Sequence, residues 1–182
     1  VPKSAGETKV EIPVTNVKPG TVAVLVHPDG TEEIIKNSVP TEDGIQLTVN
    51  GGATVKIVDN SKDFIDTREH WSRDQVNFVA ACELFQGVGD NQFGVGHPMT
   101  RGMVNTVLAR LAGVDTTSAA GQNWYDKGVA WARENGVSDG TNPNGNVTRE
   151  QLAAMLYRYA GSPTVNGSLP FSDADTASDY AQ

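Results

Sequence analysis

The stretches TRGMVNTVLARLAG (100–113) and TREQLAAMLYRYAG (148–161) have the same length and agree at six of fourteen positions, at a constant offset of 48. The likeness extends upstream. WSRDQVNFVAACELFQG (71–87) lies without a gap over WYDKGVAWARENGVSDG (124–140), so that Trp71 faces Trp124, Val76 faces Val129, Phe78 faces Trp131 and Gly87 faces Gly140. A loop of variable length then leads to each Thr-Arg pair. This is an internal repeat of a helix-loop-helix unit. One such hairpin cannot bury its own apolar face. Val104, Val107, Leu108 and Leu111 form one stripe at helical spacing, and Leu152, Met155, Leu156 and Tyr159 form the matching one. Both stripes read as core, and stacking of units is what makes each unit stable. A third unit opens at FSDADTASDYAQ, where Phe171-Ser172-Asp173 echoes Phe64-Ile65-Asp66. Two units are complete, so part of the apolar surface is expected to lack its usual cover, and self-association through the incomplete bundle is one consequence.

Helical periodicity starts near residue 64 and predicts helices over roughly 73–85, 101–112, 125–135 and 149–160, with another beginning near 176. Residues 8–59 carry a different pattern. KVEIPV, TVAVLVH, EEIIK, IQLTV and ATVKIV are short, β-branched and partly alternating. Turn signals separate them: Lys18-Pro19-Gly20, His27-Pro28-Asp29-Gly30 and Asn50-Gly51-Gly52. VHPDGTEEI reads as a hairpin closed by its Pro-Asp-Gly turn. The expected fold class is α+β in two domains: a small antiparallel β-sandwich or open barrel at 1–60, then helical repeats at 61–115 and 116–163 and the start of a third at 164–182. A head of this size has a thin core.

The net charge of -8 and pI near 4.8 argue against nucleic acid as a partner, because phosphate contacts need clustered Lys and Arg. An anionic partner would have to be recognised locally, by one or two placed cations. No apolar run approaches the ~20 residues of a membrane span. No signal peptide is visible, but the chain reads as a fragment of a longer polypeptide, so this has no bearing on export. The single cysteine, Cys82, excludes an internal disulfide and sits in the apolar run FVAACELF, as a packed core thiol would.

The repeat resembles the S-layer homology domain. The hallmarks are an F-x-D start (Phe64-Ile65-Asp66), a tryptophan before the first helix (Trp71, Trp124), a glycine loop (Gly87, Gly140) and an I-T-R-A-E-like opening of the second helix, here MTRGM and VTREQ. The resemblance covers roughly residues 64–182; the β-rich head lies outside it. It implies a pseudo-threefold bundle of three repeats that binds secondary cell-wall polymers, often bearing a pyruvate ketal, and holds exported proteins on Gram-positive surfaces. The family's grooves lie between repeats, and its motif arginine reaches the ligand. By position that arginine falls on Arg101 and Arg149, and the tryptophans on Trp71 and Trp124. There are departures. Repeat 1 has Gly102 and Met103 where the family prefers Ala and Glu, repeat 2 has DTTSAAGQN in place of F-x-D, and repeat 3 does not reach its arginine.

Cap logic bears on the same arginines. Thr148 is a good N-cap and Gln151 stands at N3, completing a capping box. Arg149 is then the first helical residue, where a cation costs a few tenths of a kcal/mol, up to ~1. The free N–H groups of that turn are a natural anion site. A bound carboxylate would turn the conflict into a design, gripped by the guanidinium fork, with a tryptophan stacked on a sugar face. The candidate ligand residues are Arg149, Arg101, Trp124, Trp71, Thr148, Thr100, Asp66 and Asp173. The alternative stays open: Arg101 and Arg149 pair with a loop carboxylate such as Asp66, Asp139 or Asp173 and pin the repeats, and the tryptophans anchor a core or interface. Arg110 and Arg158, late in their helices, suit the dipole and read as structural.

The segment DGTNPNGNVTRE (139–150) has EF-hand spacing between Asp139 and Glu150, but Pro143 offers no side-chain oxygen and Gly145 comes one place late. His27, His70 and His97 stand in unrelated contexts, and no zinc, nucleophile-elbow or C-x-x-C motif is present. Neither a metal nor a cofactor is expected. Asn146-Val147-Thr148 and Asn166-Gly167-Ser168 fit glycosylation sequons without evident meaning. The reading is a non-enzymatic, extracellular wall-anchoring chain. Its rivals are a protein-protein assembly scaffold and the non-catalytic tail of a wall-active enzyme.

Overall fold

The computed structural model describes residues 6–167 and 170–181. The chain is α+β, with strands first and helices after, and it divides into two compact units, Val1–Gly96 and His97–Gln182.

The first unit contains β1 (Glu7–Pro13), β2 (Thr21–Val26), β3 (Glu32–Ile34), β4 (Val39–Pro40), β5 (Gly44–Asn50), β6 (Thr54–Asp59) and the helix α1 (Arg73–Ala81). The strands form two three-stranded sheets, ordered β1-β5-β4 and β3-β2-β6, with every pairing antiparallel. Two-residue β4 is too short to carry an alternating pattern, so the sequence shows five strands where the described residues form six. In β1 the half-buried Val10 and Ile12 alternate with exposed Lys9 and Glu11, as a strand with one face on a core must. The β2–β3 hairpin closes where the turn signal stands. The Asp29 carboxylate accepts the Thr31 N–H at 2.9 Å, Gly30 takes a φ of +85°, and the His27 N–H reaches the Thr31 carbonyl at 2.9 Å.

Buried Ala23, Ile45, Leu47 and Val49, flanked by Val10, Ile12, Val55 and Ile57, draw one apolar cluster from both sheets. Each large aliphatic side chain removed from water there contributes ~1.5–3 kcal/mol. Central β2 is buried on both faces over Thr21–Val24, because α1 packs against it. The Asn60 side chain donates to the Ala81 carbonyl at 2.7 Å, and the Asn77 side chain accepts the Lys62 N–H at 2.9 Å, so two asparagines tie strand end to helix. Cys82 lies fully buried just past α1, and burial pushes its thiol up to about 11.

The second unit holds α2 (Arg101–Leu111), α3 (Asp126–Glu134) and α4 (Arg149–Tyr159). Val104, Leu108, Ala132, Val137 and Met155 are its buried core, with Leu152, Trp131 and Tyr159 packed around them. The apolar stripes are narrower than the spacing predicts. Val107 and Leu111 are half-buried, and Leu156 is exposed because α4 turns Ala154 and Met155 inward. Helices α2 and α3 approach closely: a Cβ on Gly128 would stand 2.6 Å from the Thr106 Cα. Thr106 is buried in consequence, and its hydroxyl donates to the Gly102 carbonyl at 2.8 Å. The helix expected near 176 is instead a pair of 3-10 turns, Ala174–Thr176 and Asp179–Ala181, separated by Ala177 in extended backbone (ψ 142°). Single turns this short cannot repay helix nucleation. Among the described residues no helix is long and apolar enough to cross a membrane.

Candidate functional site

Both Thr-Arg pairs open a helix as their caps require. Thr100 and Thr148 are extended (φ/ψ -91°/161° and -83°/163°), and each hydroxyl accepts the N–H three residues on, from Met103 and Gln151, at 3.2 Å. The Gln151 side chain returns the bond, accepting the Thr148 N–H at 3.1 Å. At α2 the weaker acceptor Met103 Sδ does so at 3.5 Å.

Beyond the cap the two starts differ. At α2 the Arg101 N–H donates to the Gly145 carbonyl at 2.9 Å and the Gly102 N–H to the Pro143 carbonyl at 2.8 Å. Thr100 bridges to Asn146, and the Val147 N–H reaches the Met99 carbonyl at 2.9 Å. The loop before α4 is thus sewn onto the start of α2. Gly102 makes this possible, since a Cβ there would lie 3.0 Å from the Pro143 carbonyl oxygen and 3.2 Å from the Tyr125 Cβ. The Arg101 side chain, only 17% exposed, ion-pairs through Nη2 with Asp139. The Asp139 carboxyl is held below the usual range, first by the Thr141 N–H, then by the Thr141 hydroxyl and Arg101.

At α4 the Arg149 side chain is exposed, and neither it nor the N–H groups of Arg149 and Glu150 have a partner among the described residues. Glu150 turns its carboxylate the other way, toward the segment that follows. It accepts the Ser178 N–H at 3.0 Å, the Ser178 hydroxyl at 3.2 Å and the Tyr180 hydroxyl at 2.9 Å. The Ser178 N–H, and then the Tyr180 hydroxyl, lower its pKa.

The remaining candidates fall in several places. Asp66 pairs with no arginine. Its carboxylate gathers the N–H groups of Phe93 (2.8 Å), Gly94 (2.8 Å) and Val95 (3.1 Å), which hold its pKa down. Phe64 beside it is 9% exposed and meets Phe93 edge-on at 5.5 Å, so this F-x-D shapes a loop within its own unit. Asp173 uses its backbone carbonyl, accepting the Thr176 N–H at 2.9 Å and hydroxyl at 2.7 Å, and its carboxylate has no partner among the described residues. Trp71 is 84% exposed with its ring 5.4 Å from that of His70, and exposed Trp124 meets Tyr125 edge-to-face at 5.2 Å. Neither indole is in a core. Arg110 donates to the Thr116 hydroxyl at 2.9 Å. Of the carboxylates set against the arginines, Asp139 alone is joined to one. The close approach at Gly102 and the bonds made by Glu150 were not anticipated from the sequence. A helix-interior glycine at the position where the other repeat carries glutamate was the available signal.

The S-layer homology domain family matches residues 63–102 and 117–153. The chain is 26% identical over 137 residues to an amylopullulanase of Thermoanaerobacterium thermosulfurigenes, covering 66% of this chain and 7% of that protein. It is 30% identical over 139 residues to an endoglucanase of Bacillus sp. (strain KSM-635), covering 68% and 15%, and 28% identical over 123 residues to the S-layer protein sap of Bacillus anthracis, covering 59% and 15%. The chain therefore spans less than a fifth of the length of these curated relatives. No solved structure matches it. The helical part of the chain is an S-layer homology protein segment carrying two matched repeats. S-layer homology domains are non-catalytic modules that associate S-layer proteins and wall-active enzymes with the cell surface by binding cell-wall polymers.

Proposed function

We propose that the chain anchors a longer exported protein to a Gram-positive wall by gripping an anionic, pyruvylated secondary cell-wall glycan at the start of α4. The observation that carries this reading is the open helix start: an exposed guanidinium and two backbone N–H groups, all without partners among the described residues, on one turn. A sugar carboxylate offset there takes a bidentate arginine contact plus the favourable end of the helix dipole. It removes the ~0.3–1 kcal/mol that an N1 cation otherwise costs. Exposed Trp124 and Trp71 offer flat apolar area for sugar faces. In this reading Arg149 is the main ligand residue and Thr148 its cap, and Arg101 and Thr100 bind more weakly because their start is already filled. Asp66 and Asp173 shape loops. The repeats run over 61–115, 116–163 and 164–182, and the 1–60 head, a small sandwich, is a spacer that presents the parent protein.

Co-sedimentation with purified wall sacculi tests this, before and after acid removal of pyruvate ketals. Wild type should bind in a ketal-dependent way, Arg149→Ala should lose that binding, and Arg101→Ala should keep most of it. Equal binding by wild type and Arg149→Ala would overturn the assignment.

A second reading has one observation in its favour. Leu156, Tyr157, Val165, Phe171 and Tyr180 are exposed in the second unit, and Phe171 is 65% exposed where its counterpart Phe64 is 9%. That surface suits an assembly scaffold completed by another copy. Light scattering decides it: concentration-dependent dimers favour the scaffold and a monomer counts against it.

A further inference from the structure

Three buried polar atoms near the start of α2 have no hydrogen-bond partner among the described residues: Nε of Arg101, and both Oδ1 and Nδ2 of Asn105, a residue 1% exposed. Such atoms are costly to leave unpaired, and native interiors rarely do so. The two residues are four apart on one helix, which puts them on the same face a turn apart. Helical side chains lean toward the helix N-terminus, so the Asn105 amide lies over the turn that carries Arg101. The other repeat supplies a control. At the position matching Asn105 it has Ala153, which is exposed, and its arginine, Arg149, has no partner among the described residues. The asparagine accompanies the closed arginine only.

We propose that internal water joins the Arg101 Nε–H to the Asn105 amide, and that Asn105 is thereby a positioning residue that aims the Arg101 guanidinium at Asp139. The chemistry is complementary. Nε–H is a donor only, while water accepts from it and donates onward to Oδ1. Two or more polar partners in a buried polar site are what an ordered water needs. With Nε held from behind, Nη2 is left to face Asp139, the bond the structure shows. This inference concerns the contact between the start of α2 and Asp139, both within the second unit, and does not depend on any glycan.

The test is NMR on the whole chain. In wild type the Arg101 Nε–H should show an exchange-free cross-peak to a long-lived water, and Asn105→Leu, close in shape, should abolish it. The same variant should lower the melting temperature by a few degrees, because it strands the Arg101 Nε–H. Absence of the water cross-peak in wild type, its survival in Asn105→Leu, or a melting temperature unchanged or raised would each overturn the proposal. The last outcome would mark a dry site, since replacing an unpaired buried amide by an apolar side chain is neutral or stabilising.

Discussion

The helix starts at Thr100 and Thr148 share a threonine cap, an arginine at the first helical position and a reciprocal contact from the third, yet one is closed and the other open. At α2 each of the first three N–H groups is taken: by Gly145, by Pro143 and by the Thr100 hydroxyl. The arginine is taken by Asp139. At α4, among the described residues, only the third N–H finds a partner, the Thr148 hydroxyl. The same local chemistry thus serves two ends. Where a following loop packs on through its backbone carbonyls, the helix start becomes a fastening between repeats; where the following segment bonds the Glu150 carboxylate instead, the first two N–H groups have no partner among the described residues and stay available to an anion. The second residue of each start marks the difference. Gly102 lets backbone approach backbone, whereas Glu150 reaches out to hold Ser178 and Tyr180.

Exchanging those second residues should break the comparison most severely. Gly102→Glu puts a Cβ 3.0 Å from the Pro143 carbonyl oxygen, and overpacking together with a partly buried charge should cost about 2–4 kcal/mol in urea unfolding. Removing the arginines should come next and separate the two roles. Arg101→Met leaves Asp139 without its cation and should lose about 1–2 kcal/mol. Arg149→Ala should stay within about 0.5 kcal/mol of wild type while losing sacculus binding. If both variants destabilise equally, the distinction between fastening and open start fails.

Glu150→Ala should act locally. Amide exchange at Ser178 should accelerate at least tenfold, with global stability down by less than about 1 kcal/mol. Unchanged Ser178 exchange would mean that Glu150 does not hold the following segment. The smallest effect is the acid limb. Asp139 and Asp66 are both held below the ordinary carboxylate range when folded. Their contribution is therefore complete above the unfolded value of about 3.9, and it is lost as pH falls through the lower folded values. Asp139→Asn and Asp66→Asn should each flatten the stability curve below that point, and a curve as steep as that of wild type would contradict the assigned bonds.

Much of this architecture was legible in the residues because it rests on local rules. The β-branched runs became strands, Pro28-Asp29-Gly30 became the hairpin turn, and Thr100 and Thr148 became caps, since each depends on neighbours within a few positions. The helix expected near 176 is absent because Ser178 and Tyr180 bond to Glu150, some thirty positions away, and Ala177 stays extended. Leu156 was misread as core because its place in the stripe depends on how α4 is rotated, and only packing sets that.

The repeat, the helix starts and the two arginines can be read from the residues alone. A cap, a heptad-like stripe and a duplicated segment are properties of short stretches of chain. What surrounds each arginine follows from packing. Whether Arg101 meets Asp139, and whether Gly145 and Pro143 fill the first turn of α2, depends on bringing together residues about forty positions apart, and no local pattern encodes that distance. The physical reason is that a free N–H and an occupied one look identical in sequence; the partner's arrival in space makes one a fastening and leaves the other a site.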